Sequence, residues 1–266
     1  MTMLNSLIVV CLQTMIINTA ETLSYSVRYA GVKLNKIAIA LSLTGIIVLV
    51  SRTANMIQGP LTAKFVDYSN STDPSFPLGN YLRIIMLASS LGTLIAIALF
   101  PTFVGLFSRV ISKLEVEGSL PKLLSSVTVE QLKNTRKYIQ KTRIKLPSFR
   151  YLGIPKRFII LNIFVTGFYT VGVISSLYAG HLSPHLLATA SNSSGLINGL
   201  ATILLTIFID PQLGIITHKA TEHAEYRDQL GKIYVMLMFT RFLGTMLGQL
   251  VFIPAAYFIS WMVQLI

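Results

Sequence analysis

The sequence predicts an all-α membrane protein: six transmembrane helices with a basic cytoplasmic loop that contains a short amphipathic helix. Three observations carry that prediction. Of the 266 residues, 53% are hydrophobic and only 12% charged, about half the charged share of a soluble domain. Apolar runs long enough to cross about 30 Å of hydrocarbon recur six times. The basic residues gather in alternate connections between those runs, as the positive-inside rule requires.

Apolar windows place the spans at about 3–23, 37–58, 81–107, 158–178, 186–209 and 233–265. The first has no Lys or Arg before Arg28, so it lacks the basic flank of a secretory signal and reads as a retained span. The sixth is longer than a minimal span and contains Pro254, which predicts tilt, projection or a bend. The domain reading is one integral membrane domain: helices one to three in 1–107, the basic loop in 108–156, and helices four to six in 157–266.

Arg28, Lys33 and Lys36 follow the first span, twelve Lys/Arg lie from Arg109 to Arg157, and Lys219, Arg227 and Lys232 precede the last span. By contrast, the connection 59–80 holds only Lys64 and the turn 179–185 none. Basic loops kept inside place both termini outside a bacterial cytoplasmic membrane. In the central loop, Thr128 and Gln131 match a capping box, and Val129, Leu132, Arg136 and Ile139 form a stripe flanked by lysines. A helix of that kind lies on a membrane surface and contacts anionic lipids. The net charge of +12 is explained by this distribution, so no nucleic-acid partner is expected.

The sequence lacks a GxxxxGK[ST] phosphate loop, an HExxH zinc motif, a GxSxG elbow and an aspartate-rich diphosphate motif. No catalytic residue, metal or cofactor is expected. The lone Cys11 is a small core residue, and the pairs His181 with His185 and His218 with His223 lack partners to complete a metal site.

Polar groups inside the spans are more informative, because charge at membrane depth is costly. Arg241 is expected about 12 Å into the sixth span and Arg52 about 22 Å into the second, at about 1.5 Å per residue. Arg28 and Arg83 extend the series towards the inner and outer faces. Glu21 and Asp210, near cytoplasmic helix ends, are read as coupling or ion-pairing groups. Ser191, Ser194, Asn198, Thr202, Thr206 and Asp210 recur at helical spacing in the fifth span. Shorter stripes are Thr14, Asn18 and Glu21, and Ser51, Asn55 and Gln58. Such residues also bind helices together, and Gly195 with Gly199 and Gly244 with Gly248 permit close packing. Stripes and arginines together predict a hydrated groove for a substrate with an anionic head, contacted by Arg28, Arg52, Asn55, Arg83, Asn198 and Arg241.

The stretches ETLSYSVRYAGV (21–32) and LVSRTANMIQGPL (49–61), followed by Lys64 and Asp67, resemble the Amj family of bacterial lipid II flippases. The resemblance implies a transporter that moves the undecaprenyl-pyrophosphate-linked peptidoglycan precursor from the inner to the outer leaflet for cell-wall synthesis. It implies Glu21, Ser26, Arg28, Gly31, Ser51, Arg52, Asn55 and Gln58 as family positions, with Gly31 serving the turn after the first span. A membrane enzyme acting on a prenyl diphosphate and a non-transporting scaffold for envelope assembly are the alternatives. Six helices are few for so large a head group, so a homodimer is expected.

Overall fold

A computed structural model of the chain describes residues 2–118 and 155–266, within which all regular structure is helical. The amphipathic helix expected at 129–143 lies outside the described residues. Helices α1 (Met3–Lys33), α2 (Ile37–Ser71), α3 (Leu78–Glu117) and α4 (Lys156–Leu182) are followed by a broken stretch. It comprises a 3-10 turn at Pro184–Leu186, α5 (Leu187–Asn192), α6 (Ser194–Leu204), a π-helical turn at Leu205–Ile209 and α7 (Asp210–Glu222). The last helix is α8 (Glu225–Leu265). With the broken stretch counted once, six helices are long and apolar enough to cross a membrane.

Helices extend well past the apolar windows. α1 continues to Lys33 and takes in Arg28, α2 runs thirteen residues beyond Gln58, and α3 continues through 108–117, where loop was expected. α8 starts eight residues before Ile233 and passes Pro254 without a break. Hydropathy reports where hydrocarbon ends, whereas a helix continues as long as its backbone bonds and side-chain packing sustain it.

The α1–α2 hairpin shows how local sequence sets geometry. Asn35 takes a left-handed conformation, φ 56°, which Asn tolerates better than most residues. The Lys36 amide then donates to the Gly31 carbonyl over 2.8 Å. A β-carbon on Gly31 would stand 2.2 Å from that of Ala40, so glycine permits α2 to fold back this closely. Lys36 also pairs with Glu115, joining α2 to α3.

The two chain ends, the α2–α3 connection and the turn after α4 lie at one end of the bundle, and the α1–α2 and α7–α8 connections lie at the other. An apolar cluster containing Phe65, Leu78, Leu82, Met86, Val171, Leu177 and Phe252 fills the terminal end. A second, with Tyr29, Phe100, Val104, Phe158, Tyr234 and Leu237, fills the basic end. α1 packs on α3 and α2, α8 packs on α4 and α3, and the broken stretch packs chiefly on α4.

The fifth span is the largest departure from expectation. Instead of one helix over 186–209 it is interrupted at Ser193 and again by the π-helical turn. Pro211 stands two residues after that turn; it lacks an amide hydrogen and crowds the preceding carbonyls, so the regular ladder yields just before it. The polar stripe consequently does not stay on one face. Ser191, Ser194 and Asn198 are half-buried, while Thr202, Thr206 and Asp210 are exposed.

Candidate functional site

The interior polar groups are organised by α8. Near the basic end, Tyr234 of α8 lies against Tyr25 and Tyr29 of α1, ring centroids 5.5 and 6.3 Å away, with Arg28 within its electrostatic reach. Seven residues on, Arg241 Nη2 donates to Glu21 Oε2 over 2.6 Å. Eight residues further, the Gln249 carbonyl accepts from Arg83 Nη1 at 2.8 Å, and Gln249 Nε2 donates to the Arg83 carbonyl at 3.0 Å. Helical rise separates these three levels by about 11 Å each. Between the second and third, Ser90 Oγ donates to Thr245 Oγ1 at 2.9 Å, linking α3 to α8.

The arginines at these levels differ in how fully they are occupied. Arg83 is clasped by Gln249 and lies over the Phe252 ring at 5.5 Å. Arg28 and Arg241 each hold a buried Nε with no hydrogen-bond partner among the described residues. A guanidinium is always charged and offers a planar set of donors that fits phosphate oxygens two at a time. An unpaired buried donor costs about 1–3 kcal/mol, so both groups are predisposed to accept an anion.

Arg52 and Asn55 stand apart from this line, because both are exposed on α2. Their neighbours face α1 instead. The Ala54 carbonyl accepts from Gln13 Nε2 at 2.9 Å, Gln58 Nε2 donates to Thr14 Oγ1 at 2.5 Å, and Ser51 is buried. These bonds also set the level of Arg52, fifteen residues into α2 or about 22 Å along it. Arg241 is sixteen residues into the lengthened α8, about 24 Å from a start that lies eight residues before the apolar run. Measured along α1, Arg52 stands near the Gln13–Ala54 and Thr14–Gln58 contacts, whereas Arg241 meets Glu21 further towards the basic end.

Asn198 of α6 presses its Oδ1 against α4 at Gly172, where a β-carbon would come within 2.0 Å of it. That oxygen is buried without a partner among the described residues. Asp210 is exposed at the start of α7. His181 Nδ1 shares a hydrogen bond with Asn70 Oδ1 at 2.6 Å, and His218 lies 3.4 Å from Glu222 on its own helix. Among the described residues no group of three His, Cys, Asp or Glu side chains is placed to hold a metal. Sequence reasoning passed over Gln249, Tyr25 and Tyr234. Gln249 was detectable as a polar residue eight positions beyond Arg241, but an interior tyrosine has no distinctive spacing.

The family model described as Amj, "Alternate to MurJ", matches residues 13–263. The chain belongs to the Amj family. The Amj protein of Bacillus subtilis (strain 168), named a lipid II flippase, is 37% identical over 258 residues, covering 94% of each chain. The matched region includes Glu21, Arg28, Arg52, Arg83, Asn198, Asp210 and Arg241 of this Amj chain. No solved structure matches it.

Proposed function

We propose that this Amj chain is a lipid II flippase, a transporter that carries the pyrophosphate-linked head group of the peptidoglycan precursor across the bacterial cytoplasmic membrane while the prenyl tail stays in lipid. The observation that carries the reading is the Arg241–Glu21 pair at mid-helix depth, with unpartnered Nε groups on Arg241 and Arg28. The relative's name supplies the cargo. In this reading Arg28 receives the pyrophosphate at the basic, cytoplasmic end, Arg241 holds it midway, and Arg83 lies near its exit. Several moderate contacts favour passage, since a single very tight site retards release.

Arg52 and Asn55 serve the same passage from the open face of α2. Arg52 is about 22 Å from the cytoplasmic end of its apolar run and about 9 Å from the outer end, and an anion, water or the outer interface must meet its charge. Asn198 lines the path from the fifth span. Glu21 supplies the internal counter-charge, and Asp210, exposed beyond the π-helical turn, is kept as a coupling group. The exposed middle of α2 is also where a homodimer would meet. The arrangement of basic connections supports termini outside and anionic lipids at the inner surface.

The deciding experiment reconstitutes the purified protein with fluorescent lipid II and measures access from each leaflet by an impermeant quencher, with mass spectrometry of the recovered lipid. Translocation of intact lipid is expected. Cleavage or transfer of the head group would establish an enzyme, and neither translocation nor change would leave only a scaffold. For orientation, single cysteines at Ser71 and His181 are expected to label from outside intact cells, and one at Arg227 only after permeabilisation.

A further inference from the structure

We infer that Glu21 is a built-in competitor for the substrate's phosphate: an incoming anion must displace the Glu21 carboxylate from Arg241, and return of that carboxylate releases the anion. The inference rests on the transport reading and assigns Glu21 a role in setting how tightly the passage holds its cargo.

The geometry of the pair suits exchange more than permanent closure. Nη2 of Arg241 donates to Glu21 at 2.6 Å, while the buried Nε has no partner among the described residues, so part of the guanidinium's binding capacity is uncommitted. The pair is partly open, with side-chain exposures of 23% and 27%, so an anion can approach without first dismantling the core. The partners stand on α1 and α8, whose main packing lies elsewhere, α1 on α3 and α8 on α4. Separating the carboxylate from the guanidinium therefore need not unpack either helix. A phosphate carries more charge than a carboxylate and, once the carboxylate has swung away and uncovered that edge, can bond to both Nη2 and Nε, which drives the forward exchange. Glu21 remains close by on its rigid helix, which drives the reverse. Without such a competitor, a mid-depth guanidinium would hold the pyrophosphate too tightly to pass it on.

The test uses full-length protein in nanodiscs of zwitterionic lipid, with farnesyl diphosphate as a soluble prenyl diphosphate probe read by calorimetry. Glu21→Gln should bind the probe about tenfold more tightly, about 1.4 kcal/mol, and should translocate lipid II more slowly. Arg241→Gln should weaken binding, and the double variant should bind no better than Arg241→Gln. A role confined to holding α1 against α8 predicts the opposite, equal or weaker binding by Glu21→Gln. That result, or tightening that survives in the double variant, overturns the inference. If Glu21→Gln fails to fold, Glu21→Asp serves, since its shorter carboxylate should shift affinity in the same direction by less. Failure of the wild-type protein to move lipid II, with tightening by Glu21→Gln intact, would refute the transport reading and leave the exchange standing.

Discussion

Two interfaces on α4 use the same sequence device with opposite results. On α8, Gly244 meets α4 so closely that a β-carbon would stand 2.6 Å from the Ile163 carbonyl, and one on Gly248 would stand 3.3 Å from Thr170. On the fifth span, Gly195 and Gly199 have the same spacing, yet a β-carbon on either would meet nothing within 4 Å. Small residues four apart allow close approach but do not cause it. The α8 pair belongs to a continuous helix whose face also carries Thr240, hydrogen-bonded at 2.7 Å to Asn162 of α4. The fifth span meets α4 through short segments, and only 17% of its apolar window is buried, against 56% for α3. A weakly packed, interrupted helix is where motion during transport is expected.

The largest expected effect tests the tight side of this comparison. Gly244→Leu must push against the α4 backbone, and overpacking of that kind costs about 1–3 kcal/mol. Thermal unfolding of the purified variant should show a clear loss of stability, whereas Gly199→Leu should stay within about 0.5 kcal/mol of wild type. Equal losses would mean that the two glycine pairs pack alike and the contrast is wrong.

Next comes the pair that links the rigid helices. Arg241→Gln should lower lipid II translocation at least tenfold, about 1.4 kcal/mol, and destabilise by about 1–3 kcal/mol. A fully buried pair would cost about 3–5 kcal/mol, but roughly a quarter of each of these side chains remains exposed. Wild-type flipping by a stably folded variant would remove Arg241 from the passage.

On the loose side, Gly172→Ala should disturb only the contact with Asn198 and cost about 1 kcal/mol. Because Asn198 Oδ1 has no hydrogen bond to lose, Asn198→Ala should restore most of that stability in the double variant. A double-mutant cycle with no coupling would show that α4 and α6 are not held through this contact. The smallest effect on stability is expected from Arg52→Gln, within about 0.5 kcal/mol, because Arg52 is exposed on α2. Its effect should be on transport, with flipping reduced severalfold, and an unchanged rate would place Arg52 outside the passage.

The number of spans, the family and the identity of the interior arginines were legible in the sequence, since hydrocarbon selects long apolar runs and makes each charge within them conspicuous. Helix ends were less legible. Once past the hydrocarbon, α2 and α3 are continued by packing around Phe65 and Ile111, and hydropathy is silent about that. The broken fifth span had a visible cause in Pro211, but the window ended at Ile209 and the proline fell outside it.

What the sequence determined by itself is therefore the solvent, the six crossings and the inventory of charges, all properties of residue type and local order. Tertiary structure alone decided which of those charges meet. Glu21 and Arg241 are 220 positions apart, and their contact depends on the register in which α1 and α8 settle against the rest of the bundle. The same holds for Arg52. Its periodicity marks a helix, but the Gln13–Ala54 and Gln58–Thr14 bonds choose which face of α2 turns inward. They turn Ser51 towards α1 and leave the neighbouring guanidinium about 100° around the helix, on the open side.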